Sequence, residues 1–145
     1  MSDANTNFFA DFFDDYFAES EEHLVIVRQS LLALEPCINQ EHIDSTHLNQ
    51  LFRSFHSIKG LSGMVGVKDA EELAHQMESY LKVLREGQVG LTPAGFDALL
   101  DGTKLLEQVI VQARDHKSVT NITPIKESLQ ALLPATLAPP PAETT

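Results

Sequence analysis

A chain of 145 residues with 43% hydrophobic content can build one domain with a real core plus tails. Ten basic against 21 acidic side chains leave a net charge of −11. That balance argues against nucleic acid or an anionic membrane surface as partner, because both need a basic face, and it suits partners with basic patches.

A single cysteine, Cys37, rules out a disulfide within the chain. The acidic start carries no basic region followed by an apolar run, so no signal peptide is read there. No stretch approaches the ~20 apolar residues of a membrane span. The expectation is a cytoplasmic protein.

Residues 1–7 read as a tail. The first predicted helix runs from about Phe8 to Glu35, with Phe13, Phe17, Ser20, Leu24, Val27, Leu31 and Leu34 as one stripe. Asp11, Asp14, Asp15 and Glu19 suit the positive end of its dipole, and Pro36 stops it. Phe8, Phe9 and Phe12 either pack at the bundle end or form a sticky arm. The second helix spans Ser45 to Val65, capped by Asp44 or Ser45. Leu48, Leu51, Phe55, Ile58, Ser62 and Val65 form its inner face, and Gly66 supplies the left-handed residue that ends it.

The third helix runs from about Asp69 to Glu86. Asp69 and Glu72 resemble a capping box, Ala70, Leu73, Met77, Leu81 and Leu84 form the stripe, and Gly87 closes it. Thr92-Pro93 starts the fourth, with Phe96, Leu99, Thr103, Leu106, Ile110 and Ala113 behind it. Thr123-Pro124 repeats the signal ahead of Ile125, Leu129 and Leu132. From Pro134 to Thr145 the composition is that of a linker, rich in Pro, Ala and Thr. The predicted architecture is all-α: an antiparallel four-helix bundle over 8–133 with a fifth, C-terminal helix.

The second helix carries an unusual constellation. On a wheel of ~100° per residue, His56 points away from the core, and Asn49, Phe52, Lys59, Gly60 and Gly63 share its side. Two glycines on an exposed helix face cost ~1 kcal/mol each against alanine. Their missing side chains would let a partner's backbone approach the imidazole. Lys59, one turn on, could neutralise an anion attached to His56. No carboxylate occurs from Ser45 to Lys68, while Arg53, Lys59 and Lys68 are basic. A lone histidine on a helix is ordinarily a plain surface residue; the lysine, the glycines and the carboxylate gap set this one apart.

The run Leu51-Phe52-Arg53-Ser54-Phe55-His56-Ser57-Ile58-Lys59-Gly60 resembles the phosphorylation motif of histidine phosphotransfer (HPt) domains. The continuation Leu61 to Gly66, with Leu73-Ala74-His75-Gln76-Met77-Glu78, is similar to the N-terminal HPt domain of CheA-type chemotaxis histidine kinases. The likeness covers about Phe8 to Leu133. Leu61 departs from the small residue often found there.

The resemblance implies that His56 accepts a phosphoryl group on Nε2. It implies that Glu78 orients His56 through Nδ1, and that Lys59 and His75 complete the network. It further implies a histidine-kinase catalytic domain as donor, a CheY-type receiver aspartate as acceptor, and a monomer in isolation. Phe52, Arg53, Gly60 and Gly63 are the expected partner contacts. The chain shows no glycine-rich nucleotide loop and no acidic metal cluster. ATP and magnesium are therefore expected from the kinase domain, and magnesium again from the receiver; no metal site is expected here. The chain reads as a carrier, a piece of a protein-histidine kinase rather than an enzyme by itself. The rival reading is a non-catalytic interaction bundle, which explains the stripes but not the His56 face. Glu71 and Lys82 read as solvated helix-face residues. Half of a di-metal motif, Glu72-x-x-His75, has no second half.

Overall fold

The computed structural model describes residues 2–115 and 121–134, with side chains from Asp11 onward. Five helices follow in order: α1 (Ser2–Leu34), α2 (Ser45–Val65), α3 (Lys68–Arg85), α4 (Pro93–Arg114) and α5 (Thr123–Ala131), with one 3-10 turn, Glu35–Cys37, after α1. No strand occurs among the described residues. Helices α1 to α4 pack in a ring, each against the next and α4 back on α1, while α5 lies on α3 and α4. Tyr16 bonds Ser62 at 2.8 Å near one end of the α1–α2 seam and Ser30 bonds Gln50 at 3.2 Å near the other, which makes the pair antiparallel. Among the described residues, no helix is long and apolar enough to cross a membrane.

The stripes become the core. Leu24, Val27, Leu31 and Leu34 of α1 bury against Leu48, Leu51, Phe55 and Ile58 of α2 and against Leu73, Met77, Leu81, Leu99 and Leu106. Phe13 and Phe17 are only half-buried. Tyr16 and Tyr80, absent from the predicted stripes, are almost wholly enclosed.

The helix ends hold several corrections. The first helix starts at Ser2, not near Phe8. No Pro or Gly interrupts residues 2–7. The Asp69–Glu72 capping box does not form. Gly66, at φ 82°, ends α2 in a left-handed turn whose Val67 amide bonds the Ser62 carbonyl at 2.9 Å. The chain then enters α3 at once, with Val67 as an N-cap that has no side-chain bond. Thr123 does not cap α5: the N-cap is Ile122, which has no side-chain bond, and Asn121 Oδ1 just ahead of the helix accepts the Thr123 amide at 3.1 Å. Asp44 caps α2 and Thr92 caps α4, accepting the Gly95 amide at 3.0 Å. The linker reading of Pro134 to Thr145 falls, beyond Pro134, outside the described residues, as do the side chains of Phe8 and Phe9. Phe12 is half-buried.

Candidate functional site

Helices α2 and α3 form a tight antiparallel pair, because Gly66 and Val67 are all that separates them. The turn sets their register, and Glu78 of α3 arrives beside the turn of α2 that carries His56 and Lys59. The His56 side chain is 64% exposed, while that of Glu78 is 11% exposed. Glu78 Oε2 lies 2.5 Å from His56 Nδ1, and Lys59 Nζ donates to Glu78 Oε1 at 2.7 Å.

Burial alone would raise the Glu78 carboxyl. The hydrogen bonds from Lys59 and His56 outweigh it and hold the group below its ordinary value. Ionised, Glu78 can only accept. His56 Nδ1 therefore carries a proton, so that in the neutral ring the free lone pair falls on Nε2. The result is an oriented imidazole whose nucleophilic nitrogen is the one not tied to the protein.

Of the expected set, His56, Lys59 and Glu78 come together. His75 stands one turn before Glu78 on α3, but it is exposed and has no hydrogen bond to the other three. Phe52 is half-buried, and its ring lies parallel to the imidazole, 6.3 Å between centroids and 6° between planes. Arg53 is exposed. Gly60 is open: a Cβ built there meets nothing within 4 Å. Gly63 is different, because Glu71 Oε2 would lie 2.8 Å from its Cβ. The gap over Gly63 is filled by the protein's own carboxylate, so only Gly60 leaves the surface bare for a partner.

Sequence reasoning missed Arg85. Its guanidinium lies over the Phe52 ring, 4.2 Å from the centroid, and Nη1 reaches Asn49 Oδ1 at 3.4 Å. The signal was present, since Arg85 follows Glu78 by two helical turns and so shares its face. His23 and His47 are half-buried, each with an enclosed, unpaired Nδ1. Among the described residues, no group of three or more His, Cys, Asp or Glu is placed to hold a metal ion.

The Hpt domain family matches residues 11–132, most of the chain. The chain belongs to the Hpt family. This Hpt chain is 29% identical over 124 residues to the chemotaxis protein CheA of Halobacterium salinarum, covering 85% of this chain and 18% of that protein. It is 34% identical over 108 residues to the sensor histidine kinase CheAY of Helicobacter pylori, covering 74% and 13%. It is 33% identical over 99 residues to CheA of Salmonella typhimurium, covering 68% and 14%. The Hpt chain thus spans less than a fifth of the length of these relatives. Its fold is similar to the phosphorylated P1 domain of CheA3 from R. sphaeroides, solved in complex with CheY6. The TM-score is 0.71 at 23% identity, covering 83% of this chain and 94% of that one.

Proposed function

We propose that this Hpt domain is the phosphoryl carrier of a chemotaxis two-component pathway, with His56 as the acceptor. The observation that carries this reading is the pairing of His56 Nδ1 with the ionised Glu78, which leaves Nε2 exposed. The Nε2 lone pair attacks the γ-phosphorus of ATP held by a histidine-kinase catalytic domain. An N–P bond forms, the P–O bond to ADP breaks, and the ring gains positive charge that Glu78 offsets. A carboxylate oxygen of a CheY-type receiver aspartate then attacks phosphorus, and the N–P bond breaks. Lys59 stands where it can offset charge on the phosphoryl oxygens.

Phosphoryl transfer depends mainly on positioning and charge stabilisation. In this reading ATP and its magnesium stay with the kinase domain, the receiver brings its own magnesium, and the carrier works in the cytoplasm. Support comes from the site geometry, from a relative named as a sensor histidine kinase, and from a structural neighbour solved phosphorylated and bound to CheY6.

The test is incubation with a CheA-type kinase domain and labelled ATP. Acid-labile, alkali-stable label on the wild type and none on His56→Gln is the expected result. Equal labelling of both proteins, or none on either, overturns the assignment.

A further inference from the structure

Arg85 is an arginine without a carboxylate. Four cations of the described residues are paired with acids, Lys59 with Glu78, Arg28 with Glu107, Lys126 with Glu72 and Arg114 with Asp115, whereas Arg85, like Arg53, Lys68, Lys82 and Lys104, is not. Arg85 instead rests on the Phe52 ring and on the Asn49 amide oxygen. Neither neighbour cancels its charge. It is exposed, and in a chain of net charge −11 its charge stands beside an α2 face with no carboxylate of its own.

The distance to His56 decides what this charge can do. Arg85 lies seven residues beyond Glu78, which is about 10 Å along the helix axis at ~1.5 Å per residue. Seated on the Phe52 ring, whose centroid is 6.3 Å from that of the imidazole, the guanidinium makes no contact with His56. It is well inside the footprint of a docked protein, which buries about 800 Å² on each partner. The stack also fixes the guanidinium in advance. A side chain already seated on an aromatic ring loses less freedom when a partner's carboxylate arrives. The planar fork of arginine suits a carboxylate bidentately.

We infer that Arg85, seated on Phe52, is a docking and specificity residue that takes a surface carboxylate of the receiver as the receiver's aspartate reaches His56. This rests on the carrier reading above. The receiver is the fitting occupant because it meets the carrier by diffusion, and charge complementarity acts mainly on encounter.

The test measures transfer alone. Wild type, Arg85→Gln, Arg85→Glu and Arg85→Lys are loaded to equal label by a CheA-type kinase domain, purified, and mixed with a CheY-type receiver across a salt series. Thermal melts check folding, with Arg85→Gln standing in should the reversed charge unfold the bundle. At low salt, Arg85→Glu lowers the second-order transfer constant about tenfold, as one interfacial charge pair predicts. Arg85→Gln loses less, and Arg85→Lys keeps more than Arg85→Gln. The gap to wild type closes as salt rises. Transfer by Arg85→Glu at the wild-type rate at every salt concentration overturns the inference and leaves the carrier reading standing. Slowed loading with unchanged transfer also overturns it, since the kinase domain would then be the occupant. A wild type that takes no label on His56 overturns both.

Discussion

The Tyr80 hydroxyl occupies the space where Gly95 would carry a side chain. This contact locks α3 against the start of α4, two residues after Glu78, and so steadies the helix that orients His56. A methyl group at Gly95 must displace a phenol that is 1% exposed. Gly95→Ala is expected to cost about 1–3 kcal/mol, the usual penalty of overpacking. Tyr80→Phe is expected to be neutral or to stabilise by up to about 1 kcal/mol, because the hydroxyl is buried without a hydrogen-bond partner. Gly95→Ala should then cost less in the Tyr80→Phe background. Urea denaturation of the four proteins checks the cycle.

The same phenol predicts an alkaline limit. Burial pushes Tyr80 up to about 12. A group whose value is raised by folding contributes stability that is complete below its unfolded value, ~10 for tyrosine. That contribution is lost as pH rises through the folded value. Denaturation midpoints should therefore fall between pH ~10 and about 12. Tyr80→Phe should flatten the fall, leaving the share of Tyr16, also raised by burial against its bond to Ser62. A profile unchanged by Tyr80→Phe counts against this account.

Glu78 titrates with the opposite sign. Its carboxyl is lowered in the folded protein, so its contribution is complete above the unfolded carboxylate value and is lost as pH falls through the folded one. Wild type should exceed Glu78→Gln in stability by a constant margin at neutral pH. The margin should narrow on acidification, as melts along a pH series would show.

Glu78→Gln bears on function as well. An amide can accept from Nδ1, but it carries no charge to offset the ring. Loading of His56 is expected to slow on the order of 10- to 100-fold, the scale seen when a carboxylate behind a working histidine is removed. Circular dichroism should show the bundle intact. Initial rates with a CheA-type kinase domain check this, and an unchanged rate would remove Glu78 from the mechanism.

Gly60 and Gly63 separate stability from transfer. Alanine at Gly60 meets nothing, so it should stabilise α2 by about 0.5–1 kcal/mol. It also puts a methyl group on the bare surface one turn from His56. Gly60→Ala should melt higher and transfer more slowly. Alanine at Gly63 must push the Glu71 carboxylate aside, so it should gain less stability. Paired melts and transfer rates on both variants check the contrast.

The stripes from Leu24 to Leu34, Leu48 to Ile58 and Leu73 to Leu84 were legible because a 3.6-residue period records which side of a helix is dry. His56 was legible as an exposed imidazole beside a lysine, and Glu78 came from the family resemblance. The remainder depends on contacts between helices. Nothing local to Gly63 reveals Glu71 above it, and nothing near Tyr80 points to Gly95. Arg85 meets Phe52 only once the Gly66–Val67 turn has folded α3 back on α2. The capping box failed for a related reason, since the tight turn opens α3 before Asp69 can act as its cap.

The openness of the imidazole also sets a clock. A phosphoryl group on Nε2 would stand in water, with 64% of its histidine exposed and bare backbone at Gly60 beside it. Nothing among the described residues closes over that bond. In the proposed reading, its lifetime rests on its own hydrolysis and on how soon an acceptor arrives. A message written at His56 expires unless it is collected, so this carrier reports the present state of its kinase and keeps no archive.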